Sequence, residues 1–266
     1  VQGDPRAELD RRLHRPGLGL LGARTTLLHF ALVTYALPRE RLDAHVPAER
    51  FRIDEFPVGG RRQALLSVVP FLDQDFRFPR LLPFLKSRFG QTNHRVYVTD
   101  RRTGEPAVWF LGTTLGSPVV AVPRHVWKLP WHRARYRFDC TYDDVQRRYT
   151  RYAVDIDASW CPARIELDDT GEAAGLLEGF ASLDEQTLVL THPTTGFFRR
   201  RDESLGSYSI WHEELRMTRA RHRSLYFGLY ERIGLLSRTE MEQPHSVLLC
   251  PSVEFDIHLP PRRLPG

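Results

Sequence analysis

The chain has 266 residues, 38 of them basic and 33 acidic, with a formal charge of +5 and a hydrophobic fraction of 41%, which suits one large domain with a substantial core. No apolar run approaches the ~18 residues that span a bilayer, and three widely spaced cysteines, Cys140, Cys161 and Cys250, argue against a disulfide framework and fit a reducing, cytoplasmic setting. Only Lys86 and Lys128 are lysines, so arginines make up the other 36 bases; they are dispersed among acids, and the longest run, Arg199–Arg201, is met at once by Asp202 and Glu203, which reads as a mixed-charge solvated surface and not a nucleic-acid footprint.

Residues 1–16 are polar and charged and read as a loose arm, not a signal peptide; residues 17–266 are expected to form a single domain. Residues 24–37 are rich in β-branched and aromatic side chains and end at Pro38, which predicts a first strand. A short charged helix is expected over 39–45. Residues 63–72 are nearly apolar throughout and read as a buried strand. The proline- and aromatic-rich stretch 73–90 is expected to be an irregular loop over the core, a candidate lid.

The clearest local pattern follows. TNHRVYVT at 92–99, a turn at Arg102-Thr103-Gly104 and PAVWFLGTTL at 106–115 predict an antiparallel hairpin. In 132–142, His132, Ala134, Tyr136, Phe138 and Cys140 alternate with Arg133, Arg135, Arg137 and Asp139, so the first set should face inward. Residues 147–158 and 163–168 repeat the alternation. Ser182 with Glu185 has capping-box spacing ahead of a helix, and Ser224 is read as the start of a second one over LYFGLYERIGLL. Residues 252–259 form the expected last strand. Successive strands with one polar and one apolar face predict an α+β protein, mainly antiparallel β, whose sheets curl around a core.

Several stretches carry a family likeness. QTNHRVYV at 91–98, GEPAVWF at 104–110, LPWHRA at 129–134, and LCPSVEFD at 249–256 with PPRR at 260–263 resemble, in order and spacing, the motifs of the uncharacterised bacterial YqjF-like family, which is grouped by fold with acetoacetate decarboxylase. The resemblance spans about Arg24 to Arg263 and implies a β-barrel-like fold around a central cavity. It also implies a comparison of chemistry. Acetoacetate decarboxylase forms a Schiff base through a lysine in a W-G-F-P-K-K segment, which needs an amine kept neutral by desolvation or a neighbouring cation. The matching stretch here is Trp127-Lys128-Leu129-Pro130-Trp131-His132, and Trp131 and His132 stand where the lysine pair would be.

The candidate site residues follow from this alignment and from the strand faces. His132 is the candidate acid or base; Lys128, three positions before Trp131, is the one possible catalytic amine. Gln91, Asn93, Arg95 and Tyr97 share a strand face suited to a carboxylate or carbonyl, if that face lines the cavity and not the solvent; Trp131 joins them as a substrate-binding candidate. Tyr208, Ile210 and His212 alternate before Glu213 and Glu214, yet no H-x-H, H-E-x-x-H or C-x-x-C motif supports a metal site. The expected function is a lyase-, dehydratase- or cyclase-type enzyme acting on a small, anionic carbonyl or carboxylate compound, without cofactor or metal and without an imine. The competing expectation is a non-catalytic ligand-binding or interaction module on the same fold. No nucleic-acid or membrane partner is expected, and a homo-oligomer is compatible with the sequence.

Overall fold

The computed structural model describes residues 4–117 and 121–264. In chain order, helix α1 (Pro5–Leu13) precedes β1 (Ala23–Leu37), a 3-10 turn (Arg39–Arg41), β2 (Phe51–Ile53), β3 (Glu55–Val58), β4 (Arg61–Phe78), β5 (Leu82–Asp100) and β6 (Pro106–Leu115). Helix α2 (Ala121–Val126) leads to β7 (Trp131–Arg133), β8 (Arg135–Asp143), β9 (Arg148–Asp157), β10 (Ala163–Ala173) and helix α3 (Leu183–Leu190). The remainder is β11 (Thr195–Arg199), β12 (Leu205–His212), β13 (Thr218–Phe227), two short helices, α4 (Gly228–Arg232) and α5 (Arg238–Met241), and β14 (Ser246–Arg263). No helix among the described residues is long and apolar enough to cross a membrane.

Seven strands close on themselves in the order β1-β4-β5-β6-β11-β12-β14, with β14 pairing back onto β1. The neighbours are antiparallel except β6 and β11, which run parallel. Strands β8, β9, β10 and β13 form a second layer that joins the barrel where β13 pairs β14. Because side chains alternate along a strand, the barrel strands feed two cores at once. One set, including Leu27, Phe30, Leu65, Val69, Phe71, Val108 and Phe110, packs together inside the barrel. The other set, including Ala31, Val33, Leu66, Val68, Val96 and Val98, packs outside it against Tyr152, Val154, Ile156, Ile165 and Leu167 of the second layer.

The hairpin expected over 92–99 and 106–115 is present, with Val96 opposite Trp109 and Val98 opposite Ala107. Ser182 caps α3 by accepting from the Glu185 amide. Four expectations differ from the structure. Residues 5–13 of the presumed loose arm are helical: Asp4 caps the helix, Pro5 opens it, and Leu9 is fully buried while Arg12 donates to the His192 carbonyl at 2.5 Å. Only Leu9 and Arg12 are buried along it, so its amphipathic signal is faint. The stretch 73–90 is the far half of the β4–β5 hairpin, with Phe76 opposite Ser87; Pro79 lies in the turn, where it breaks no ladder. Ser224 opens no helix, because burial at Leu225 and Phe227 keeps the two-residue period of β13. The helix expected over 39–45 shortens to one 3-10 turn.

Candidate active site

Strand alternation puts Gln91, Asn93 and Arg95 of β5 inside the barrel, in a cavity they share with Asp73 of β4, Thr191 after α3, and Tyr208 and His212 of β12. Phe30, Phe71, Val108, Phe110, Val253 and Phe255 supply apolar walls. The cavity measures about 70 Å³, space for about five water-sized spheres, which suits a small acid and little more.

The polar groups are held from behind. Asn93 Oδ1 accepts from Gln91 Nε2 at 3.1 Å and from the Thr113 hydroxyl at 2.9 Å. The Arg95 guanidinium lies 5.5 Å from the Tyr97 ring centroid and donates through one terminal nitrogen to the Leu190 carbonyl at 2.6 Å. Its Nε is buried without a hydrogen-bond partner. Asp73 is 2% exposed, and its Oδ2 is likewise buried and unpartnered. Burial pushes the Asp73 carboxyl up to about 7, with the Thr25 hydroxyl opposing, so near neutrality it can both give and accept a proton.

Tyr208 stacks on Phe110 with ring centroids 5.7 Å apart, and burial raises its hydroxyl pKa; Asp73 adds to that rise and Arg95 opposes it. His212 sits between two backbone carbonyls, with Nδ1 2.6 Å from the Glu213 oxygen and Nε2 2.7 Å from the Thr191 oxygen. A neutral ring can donate to one of these only. Burial lowers the His212 pKa while the two carbonyls oppose that shift, and a backbone oxygen blocks each ring nitrogen from a substrate or metal.

Of the residues expected to bind or act on a substrate, the structure brings together Gln91, Asn93 and Arg95 and separates Tyr97, Lys128, Trp131 and His132 from them. Tyr97 is buried beneath Arg95, its hydroxyl 2.8 Å from the Ser67 hydroxyl, and it does not line the cavity. His132 and Trp131 also lie outside it. The register sets Thr114 beside His132, and Thr114 faces the outer core, where its hydroxyl meets that of Tyr136 at 2.6 Å. His132 accordingly stacks on Trp160, with centroids 3.7 Å apart and planes 3° from parallel. Burial, then Arg124, Arg201 and Arg232, lowers its pKa to about 4. The inward face of 132–140 does point at a core, but at the one between the layers. Lys128 is exposed, holds a left-handed backbone at φ 57°, and also lies away from the cavity.

Asp73 escaped the sequence reading because its segment looked like a loop. Tyr208 and His212 carry a visible signal, their alternation on one face.

No curated protein matches the chain in sequence. Among solved structures, the enduracididine biosynthesis enzyme MppR with HEPES buffer bound superposes with a TM-score of 0.59 at 12% identity, over 93% of this chain and 89% of its own; the same enzyme has been solved with pyruvate. Acetoacetate decarboxylase from Legionella pneumophila gives 0.53 at 13% identity, over 97% and 95%. An acetoacetate decarboxylase-like enzyme from Sphingomonas wittichii RW1 gives 0.56 at 9% identity, over 94% and 95%. At such identities the likeness is one of fold, and the fold is that of the acetoacetate-decarboxylase-like enzymes. The family model DUF2071, whose description is an uncharacterized conserved protein (COG2071), matches residues 24–254, and the chain belongs to that family.

Proposed function

We propose that the chain is a small-molecule enzyme of lyase, dehydratase or cyclase type that moves a proton beside the carbonyl of a small carboxylic acid. The observation that carries the reading is that Arg95 and Asp73 line one cavity while each keeps a buried polar atom, Nε and Oδ2, without a partner. An unmet guanidinium N–H in an apolar chamber is costly until an anion completes it. A carboxylate of the ligand meets that need, and Asn93 and Gln91 orient the rest of the molecule. Asp73, poised near 7, then takes a proton from the carbon next to the carbonyl. The C–H electron pair moves into an enolate, Arg95 stabilises its oxygen, and the same carboxyl returns the proton or delivers it to a departing hydroxyl. The fold neighbours are enzymes and one of them holds pyruvate, which supports a ligand of this class. Both lysines lie away from the cavity, so the proposed chemistry is general acid–base and not imine formation.

The test is proton exchange. In heavy water the chain is expected to speed loss of the methyl proton signal of pyruvate or of another small 2-oxo or 3-oxo acid, and Asp73→Asn is expected to abolish that gain while retaining binding. Ligand binding without any exchange across such a panel would leave the non-catalytic binding module as the correct reading.

A further inference from the structure

Beyond the cavity, the hairpin of β4 and β5 runs on past the end of its pairing with β6 at Gln91 and ends in an apolar tip. Leu81, Phe84 and Leu85 are 49%, 81% and 59% exposed, with Leu82 beside them. Arg77, Arg80, Lys86 and Arg88 flank these residues in the sequence, and from Phe76 to Gly90 there is no acidic residue. Among the described residues Asp75 forms an ion pair with one of them, 2.9 Å from the Lys86 ammonium. Inside the hairpin Phe76 packs edge-on against Phe78 and obliquely against Phe89, with centroids 5.6 and 5.4 Å apart, so the tip is presented on a stiffened stem.

Two kinds of occupant suit exposed apolar residues on a hairpin, a second copy or a lipid surface. The pairing of β5 with β6 stops at Gln91 opposite Leu115, leaving the outer edge of 82–89 without a strand partner among the described residues. That edge carries Pro83, Lys86 and Arg88, the devices that discourage strand addition. Two copies meeting tip to tip would also bring like charges together. An anionic bilayer answers both features: leucine and phenylalanine enter the headgroup boundary while the arginines and lysine meet lipid phosphates and carboxylates. We infer that the Leu81–Leu85 tip is a peripheral docking site for an anionic membrane surface. A peripheral contact of this kind needs no spanning segment, so the expected absence of a membrane partner holds for spanning only.

The test uses the full chain and sedimented vesicles of phosphatidylcholine, with and without phosphatidylserine. Binding is expected only with phosphatidylserine, weakening about fivefold for each base neutralised, as in Arg80→Gln and Arg88→Gln, and weakening again at high salt. Phe84→Ser with Leu85→Ser should abolish it without unfolding the chain, as both residues are exposed; circular dichroism and the thermal midpoint check this. Absence of binding to phosphatidylserine vesicles overturns the proposal, as does binding that survives the double serine variant. A dimer seen by light scattering that the same variant dissolves, with no vesicle binding, assigns the tip to a second copy instead.

Discussion

Arg95 and Asp73 face one cavity from adjacent strands, and each leaves a buried polar atom, Nε and Oδ2, without a partner. No ion pair joins them within 4.0 Å among the described residues, although charged pairs are frequent elsewhere in the chain. The cavity therefore carries a cation on one strand and, on the next, a carboxyl that burial keeps near 7.

Arg95→Ala removes the cation and should weaken pyruvate binding on the order of tenfold to a hundredfold, the usual range for a lost charge-assisted hydrogen bond. Titration calorimetry or ligand-observed NMR reads this directly. Unchanged binding would remove Arg95 as the anion site.

Asp73→Asn should alter the pH dependence of stability. A buried carboxyl whose folded pKa is raised to about 7 stabilises the fold fully below its unfolded pKa, near 3.8, and that contribution disappears as pH rises through 7. Asparagine has no proton to lose. The variant's advantage over the parent should therefore grow from about pH 4 to pH 7 and level off above, reaching on the order of a few kcal/mol in urea unfolding. A constant difference across that window would show that Asp73 is not buried as a neutral acid.

His132→Ala should leave pyruvate binding within about twofold of the parent, because the imidazole lies outside the cavity. Its cost should be in stability, about 1 kcal/mol for the lost stack on Trp160, with a change in tryptophan fluorescence. A fall in proton exchange with intact stability would return His132 to the reaction.

The contrast between His132 and Arg95 shows how far the sequence reads. Alternation located most strands and the faces of β5 and β8, since a period of two is written directly in the side chains. It could not tell which of two cores a face enters. Gln91, Asn93 and Arg95 looked equally suited to solvent, yet the barrel closes over them; His132 looked inward, yet its inward side is the space between barrel and outer layer. Closure depends on β14 returning to β1 across more than two hundred residues, a pairing that no local pattern encodes. Asp73 was obscured for a related reason: its strand extends through a segment whose prolines and aromatics signal a loop, and only the β1 and β5 partners on either side hold it extended.

Imine chemistry offers the sharpest separation from the decarboxylase scheme. A Schiff base needs a neutral amine within reach of the bound carbonyl. The chain has two lysines, and neither lines the cavity. Lys86 is half exposed on the hairpin, with its ammonium 2.9 Å from Asp75. Lys128 is exposed, and its backbone turns left-handed before Leu129, which is fully buried. Borohydride added with pyruvate or acetoacetate should therefore leave the protein's mass unchanged, while the same mixture still shows the ligand bound. If a reduced adduct formed on Lys128, Lys128→Arg would decide its meaning. Loss of proton exchange in that variant would move the reaction out of the Asp73–Arg95 cavity, whereas retained exchange would mark the adduct as surface labelling and leave Asp73 as the proton carrier.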